Sequence, residues 1–147
     1  MFKDIKAAIF DMDGTLIDSM WVWKTVDIEY LMKRNITPPD DLRENIEHLS
    51  FSETAKYFKE RFNLNESIEA IIAEWNDIAL KEYTNNVKLK PGAKEFLTLL
   101  KSNEIKIGLA TSNCDMLLEV ALKNNNIYDY FDCITTTNEV NRGKNFP

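Results

Sequence analysis

The chain has 147 residues, 44% of them hydrophobic and 29% charged, as in a globular protein of one ordinary domain. The net charge of −6 argues against a nucleic-acid surface, and no apolar run reaches membrane-spanning length. The N-terminus lacks the apolar segment of a secretion signal, so we expect a cytoplasmic protein. Cys114 and Cys133 have no metal-type spacing, and we expect both to be reduced and buried.

The first predicted element is a buried parallel strand over residues 5–11, because its apolar run is continuous rather than alternating. Asp11 and Asp13 come at its end, just before Gly14. Alternate residues of a strand point the same way, so both carboxylates should face the strand end where open α/β sheets bind ligands. Such a pair suits Mg²⁺, or a nucleophile beside a proton donor. A plain Asp-Gly turn after a strand is the structural alternative.

A long helical stretch follows, without a convincing strand. Apolar residues recur at helical spacing, and Ser50 with Glu53 has the spacing of a capping box. Helices are predicted from Ser19 to about Arg34, from Asp40 to about Leu49, from Ser50 to about Phe62, and from Asn65 or Ser67 to the segment that begins at Tyr83.

The pattern changes after Lys90 to strands that alternate with helices, which indicates a parallel sheet. We predict strands over 105–110 and 133–136, with helices after Pro91-Gly92 and over 113–124. The predicted fold class is therefore α/β. A Rossmann-like core comprises residues 1–18 and 89–147, and an all-α module of residues 19–88 is inserted in it as a cap.

A second polar segment, Thr111-Ser112-Asn113, joins a predicted strand to a predicted helix. Hydroxyl groups and free backbone N–H groups at a helix N-terminus form an anion site. Taken alone, the segment is equally typical of an N-cap. Its position behind a strand, downstream of the two aspartates, favours the anion site.

The segment I-F-D-M-D-G-T-L-I-D-S, the later T-S-N segment and the order of elements together resemble the haloacid dehalogenase-like (HAD) superfamily. The layout is similar to its β-phosphoglucomutase and phosphoglycolate-phosphatase-like group, which has an inserted helical cap. The resemblance implies a phosphatase or a phosphomutase that acts on a small phosphorylated substrate.

The resemblance also assigns roles. Asp11 would attack phosphorus and form an aspartyl-phosphate, while Asp13 would protonate the leaving group and then activate water. The Asp11 carboxylate and the Asp13 carbonyl would hold Mg²⁺. Thr111 would bind the phosphoryl oxygens, with Ser112 and Asn113 lining the pocket, and Lys144 would neutralise the nucleophile and the phosphate.

The C-terminal segment departs from the family pattern. Asn145 replaces the first proline after Lys144, and the acidic residues that complete the metal site in the family do not follow. We therefore expect a fragment of a longer protein, or a natural truncation, that binds Mg²⁺ weakly and has little or no activity by itself. The missing strand would expose the edge of the first strand, so self-association is possible there.

Two cap positions bear on the reaction. Trp23 and Phe51 stand where the β-phosphoglucomutase pattern has histidine and arginine, which favours hydrolysis of a phosphate monoester over a mutase. Trp23 could overhang the active site, although its spacing with Val22, Val26 and Tyr30 favours the cap core. A phosphomutase and a catalytically inactive binding module stay as alternatives.

Overall fold

The computed structural model describes residues 2–136. Lys144 and the segment around it lie outside the described residues, as does Met1. The chain divides into two compact units, one of residues 2–21 and 80–136 and the other of residues 22–79. The boundaries of these units differ from the predicted ones, which lie after residue 18 and before residue 89. The reason is that the long helix that crosses the second boundary has its last turns in the first unit. The assignment of core and cap stays a prediction.

Within residues 2–136, five strands and six α-helices follow one another in chain order, with a short 3₁₀ turn at Tyr128–Tyr130. The strands are β1 (Ala7–Phe10), β2 (Ile17–Asp18), β3 (Lys88–Leu89), β4 (Lys106–Thr111) and β5 (Cys133–Thr136). The helices are α1 (Val22–Met32), α2 (Leu42–Ile46), α3 (Phe51–Arg61), α4 (Ile68–Asn85), α5 (Ala93–Ser102) and α6 (Asp115–Asn124). None of the helices within residues 2–136 is both long and apolar enough to cross a membrane.

The main sheet of the described residues is parallel, in the order β1-β4-β5. Phe10 lies opposite Leu109, which in turn lies opposite Ile134. The predicted α/β class with a parallel sheet is therefore confirmed. The prediction that β1 is buried is wrong, because β1 has one described neighbour and Ile9 is 76% exposed.

Helices α5 and α6 supply the apolar core of this unit. Leu97 and Leu100 of α5 are buried, as are Ile107 and Leu109 of β4. Helix α6 and the segment after it bury Leu117, Leu118, Ala121, Leu122 and Ile127.

Asp132 fixes the start of β5 through three contacts. Its Oδ2 accepts hydrogen bonds from the Ile107 backbone N–H at 2.8 Å and from Lys101 Nζ at 3.2 Å, and its Oδ1 accepts from Lys106 Nζ at 3.1 Å. The backbone N–H and the two ammonium groups lower the pKa of Asp132 to about 2.

A small antiparallel pair joins β2 to β3 in the same unit. Ile17 lies opposite Leu89, and the Lys90 N–H donates to the Leu16 carbonyl at 2.9 Å. The sequence analysis missed both strands, because two residues are too few to show a strand period.

Both cysteines are free, but the expectation that they are buried is wrong: Cys114 is half-buried and Cys133 is exposed.

The helical unit is built around an aromatic cluster. Tyr30 of α1, Phe58 of α3 and Trp75 of α4 are fully or almost fully buried, and the Phe58 and Trp75 ring centroids lie 4.9 Å apart. Helix α3 begins with the predicted capping box: Ser50 N–H donates to Glu53 Oε2 at 2.8 Å, and Glu53 N–H donates to Ser50 Oγ at 3.3 Å.

Arg34 links the end of α1 to α4. Its guanidinium lies 3.7 Å from the Tyr30 ring centroid and donates to Glu66 at 2.6 Å and Glu74 at 2.7 Å. The paired carboxylates raise the pKa of Arg34, and the hydrogen bond that Arg34 donates to Glu74 contributes most. Helix α1 ends at Met32, two residues before its predicted end, because Asn35 adopts a left-handed backbone with φ of 57°.

Candidate functional site

The turn after β1 is organised by the carbonyl of Met12. This oxygen accepts from the backbone N–H groups of Thr15, Leu16 and Ile17 at 3.3, 2.9 and 3.2 Å. Gly14 has a φ of +77°, and a Cβ at that position would lie 3.0 Å from Cγ and Sδ of Met20. Glycine is therefore favoured by the left-handed backbone, and a larger residue would also need the exposed Met20 side chain to move by a few tenths of an ångström.

The Asp13 carboxylate accepts hydrogen bonds from three side chains. Ser19 Oγ donates to Oδ1 at 2.7 Å, the Tyr83 hydroxyl donates to the same oxygen, and Asn113 Nδ2 donates to Oδ2 at 3.0 Å. The donors come from the segment after β2, from the last turns of α4 and from the loop after β4. Together they fix the direction in which the carboxylate points.

Asn113 connects this carboxylate to the end of β4. Its Nδ2 lies 3.0 Å from the Tyr83 hydroxyl, and its Oδ1 accepts from the Cys114 N–H at 2.8 Å. Its backbone N–H donates to the Thr111 hydroxyl at 3.1 Å, and Thr111 is only 2% exposed. Helix α6 begins at Asp115, later than the predicted Asn113, because the Asn113 side chain holds the preceding turn.

Asp11 is half-buried at the end of β1, and its Oδ2 accepts from Thr15 Oγ1 at 3.4 Å. Carboxylate and backbone carbonyl oxygens are the ligands that Mg²⁺ prefers, and a magnesium site needs only one or two carboxylates because it retains several waters. The donors at this end of β1 therefore fit that ion. No cluster of three or more acidic, histidine or cysteine side chains suited to a metal occurs within residues 2–136.

The structure brings some of the predicted site residues into contact but does not do so for all of them. Asp13 and Asn113 are in direct contact, and Thr111 hydrogen-bonds the backbone of Asn113. Ser112 is exposed beside them. Lys144 lies outside the described residues. Their catalytic roles stay predictions.

The sequence analysis missed Ser19 and Tyr83 as members of the site. The sequence analysis places Ser19 at the start of a predicted helix and Tyr83 at the end of another, yet both donate to Asp13. Tyr83 is fully buried. Burial and the neighbouring Asp13 charge raise its pKa above the usual tyrosine range, so the phenol remains a donor at neutral pH. A polar tyrosine on the apolar face of a helix is the signal that could have indicated it.

Open parallel α/β sheets bind their ligands at the carboxyl ends of the strands. Here the polar residues that follow β1 and β4 are in contact at that end, so the protein belongs to this class of ligand-binding α/β proteins. The profile of the haloacid dehalogenase-like hydrolase family matches residues 8–147, and the chain belongs to this family. Hexitol phosphatase B of Escherichia coli (strain K12) is 30% identical over 151 residues, which cover 99% of this chain and 66% of that protein. The chain thus spans just under two thirds of that relative's length.

Two solved structures share the fold. A candidate β-phosphoglucomutase from Thermotoga maritima superposes with a TM-score of 0.84 at 26% identity, covering 95% of this chain and 65% of that one. The HAD hydrolase YfnB from Bacillus subtilis, bound to magnesium, superposes with a TM-score of 0.76 at 10% identity, covering 97% of this chain and 69% of that one.

Proposed function

We propose that the protein is a phosphohydrolase that acts on a small phosphorylated sugar or a related metabolite, with Asp11 as nucleophile. The observation that carries the proposal is the contact between Asp13 and Asn113 at 3.0 Å, which joins the ends of β1 and β4. The family membership and the similarity to a hexitol phosphatase support the substrate class.

The first chemical step uses the two aspartates. An Asp11 oxygen attacks phosphorus while the bond from phosphorus to the ester oxygen breaks. The Asp13 carboxyl gives its proton to that oxygen, which leaves as an alcohol. In the second step, a water molecule attacks the aspartyl-phosphate, Asp13 takes a proton from the water, and Asp11 and inorganic phosphate are released.

The surrounding groups position and neutralise charge, which is most of what phosphoryl transfer asks of a protein. Ser19, Tyr83 and Asn113 hold the Asp13 carboxyl in place. The Thr111 hydroxyl accepts from Asn113 N–H, so its own hydrogen can be donated to a phosphoryl oxygen. Lys144, outside the described residues, stays as the proposed cation.

Asp11 and the Asp13 carbonyl would hold Mg²⁺, which fits this set of oxygen donors. When bound, the ion screens the repulsion between the nucleophile and the phosphate.

Phosphate release from hexitol phosphates, hexose phosphates and p-nitrophenyl phosphate, measured with Mg²⁺, tests the proposal. Asp11→Asn keeps the shape of the side chain but removes the nucleophile, so the rate should fall at least about 10³-fold. Peptide mapping of the acid-quenched reaction should show one added phosphoryl group on the peptide that contains Asp11, and none in the variant.

The matched control is Asp4→Asn, since Asp4 is exposed and its φ of 70° suits asparagine equally well. An Asp11→Asn protein that retains half of the original rate would refute the role of Asp11.

The same assays decide between the alternatives. Conversion of a sugar monophosphate to its isomer in the presence of the bisphosphate would identify a phosphomutase. Phosphate binding without turnover would identify an inactive binding module, and slow turnover would agree with the expectation of weak activity.

A further inference from the structure

The last turn of α4 and the segment after it are attached to the end of α6 by two asparagine side chains. Asn124 Nδ2 donates to the Thr84 carbonyl at 2.9 Å, and Asn125 Nδ2 donates to the Val87 carbonyl at 3.3 Å. Both donors and both acceptors belong to the same compact unit of the chain. Thr84 directly follows Tyr83, so the attachment is adjacent to a donor of the strand-end site.

The Thr84 carbonyl is available because it lies at a helix C-terminus. The last four carbonyl groups of an α-helix have no partner within the helix, and α4 ends at Asn85. The Glu82 carbonyl accepts from the N–H groups of Asn86 and Val87, which follow it closely in the chain. Thr84 instead receives its donor from another helix. This bond therefore sets where the last turn of α4 lies against α6, in addition to ending the helix.

Helix α6 holds this turn at both of its ends. Asn113, just before α6, donates to the Tyr83 hydroxyl at 3.0 Å, and Asn124, the last residue of α6, donates to Thr84. The ten residues of α6 span about 15 Å, so the two attachments are far apart on one rigid element. Two separated contacts oppose rotation of the α4 turn about either of them.

Asn103 shows the ordinary use of an asparagine at a helix end. It lies at the end of α5 and is exposed, but its Nδ2 donates to the Leu99 carbonyl of its own helix at 2.8 Å. Asn125 also makes a bond of this local kind, to the Ala121 carbonyl at 2.9 Å. The donation from Asn124 to α4 is the contact that local capping does not account for.

We propose that Asn124 and Asn125 are positioning residues that act through Tyr83 on the direction of the Asp13 carboxyl. Their amide groups donate to main-chain carbonyls and make no contact with Asp13 itself. The kinetic part of this inference rests on the proposed function, in which Asp13 is the proton donor. The hydrogen-bond geometry does not depend on that function.

Steady-state phosphate release from p-nitrophenyl phosphate with Mg²⁺ measures the kinetic effect. Asn124→Ala should lower kcat about threefold, and the double variant Asn124→Ala/Asn125→Ala about tenfold, with KM within about twofold of the original value. Asn103→Ala is the matched control, because it also removes an exposed asparagine at a helix end, and it should leave both constants unchanged. In the Tyr83→Phe background, the double substitution should lower kcat by less than about twofold further, because the hydroxyl that it positions is already absent.

The side-chain amide of Asn113 reports the same geometry without turnover. It is hydrogen-bonded to both Asp13 and Tyr83, so its amide proton resonance, assigned by its loss in Asn113→Asp, should respond to the position of the phenol. We expect this resonance to shift in Tyr83→Phe and, in the same direction, in the double asparagine variant. It should not move in Asn103→Ala.

A further loss of about tenfold in the Tyr83→Phe background would overturn the proposal, because the asparagines would then act by another route. So would an unchanged Asn113 resonance in the folded double variant, or in Asn124→Ala where the double variant unfolds. A chain that hydrolyses no phosphate ester contradicts the proposed function, and the Asn113 resonance then decides whether the two asparagines position Tyr83.

Discussion

Asp13 at the strand ends and Asp27 in the helical unit are both partly buried carboxyl groups, but their surroundings are opposite. Asp13 accepts hydrogen bonds from Ser19, Tyr83 and Asn113. Asp27 has aromatic and aliphatic neighbours, and no hydrogen bond reaches it from the described residues. The first carboxyl group is held in a set direction, while the second is poised to exchange a proton near neutral pH. Partial burial alone therefore does not indicate what a carboxyl group can do.

The largest expected effect is on kcat, and it distinguishes Asp13, a proposed catalytic carboxylate, from Asp132, a structural one. Asp13→Asn removes the proton donor and should lower kcat about 10³-fold. Asp132→Asn is the matched control, because Asp132 also accepts three hydrogen bonds in the same unit but lies at the start of β5. We expect its kcat to stay within about twofold of the original value.

Asp132→Asn should instead lower the Tm at neutral pH, because the folded state holds the pKa of Asp132 at about 2. That stability is present above the ordinary aspartate pKa and is lost as the pH falls toward 2. Steady-state kinetics and thermal unfolding measure the two effects. Equal losses of kcat in both variants would remove the distinction between the two aspartates.

The next effect tests whether the hydrogen bonds to Asp13 matter for its direction. Tyr83→Phe removes one donor and should reduce kcat about 10- to 100-fold, with little change in KM and an altered pH–rate profile. Tyr30→Phe is the control, because the Tyr30 hydroxyl is buried and has no partner within residues 2–136. Its removal should leave activity unchanged and should not reduce stability. A Tyr83→Phe protein with the original kcat and pH profile would show that the phenol is not a positioning group.

The smallest expected effect concerns stability. The folded-state pKa of Asp27, about 7, is above its ordinary value of 3.8, so the folded state loses stability as the pH rises through 7. Asp27→Asn should therefore be more stable than the original protein at pH 8, by about 1–2 kcal/mol after allowance for partial solvation. The difference should vanish at pH 4. Urea unfolding at both pH values measures it, and a difference that does not depend on pH would contradict the burial of a titrating group.

The sequence predicted those features that depend on neighbours along the chain or on a repeated pattern. Adjacent parallel strands bring their ends together, so the contact between the Asp13 and Asn113 segments could be expected once the alternation was recognised. The capping box at Ser50 and Glu53 is a local signal, and it formed as predicted. The presence of the helices was likewise predictable, although most of their observed boundaries differ from the predicted ones by one to several residues.

The features that were missed depend on contacts between distant residues. Tyr83 reaches Asp13 across 70 positions of sequence, and a polar tyrosine on an apolar helix face does not by itself indicate which partner it contacts. The burial of Asp27 depends on α2 and the Pro38–Pro39 segment, which pack beside it to form a cavity. The exposure of Ile9 depends on the position of β1 in the sheet, which a continuous apolar run does not reveal.

The turn at Gly14 also limits which substitutions the chain can accept. Gly14 and Gly92 have similar positive φ values, 77° and 80°, but Gly92 has no atom within 4 Å of an added Cβ, whereas Gly14 has Met20 at 3.0 Å. In a saturation library, asparagine should persist at position 92, since it tolerates a left-handed backbone. Position 14 should accept asparagine less readily, because the exposed Met20 side chain must first move by a few tenths of an ångström. The two glycines thus share a conformation but differ in mutational freedom, and position 14 is coupled to a neighbour six residues away.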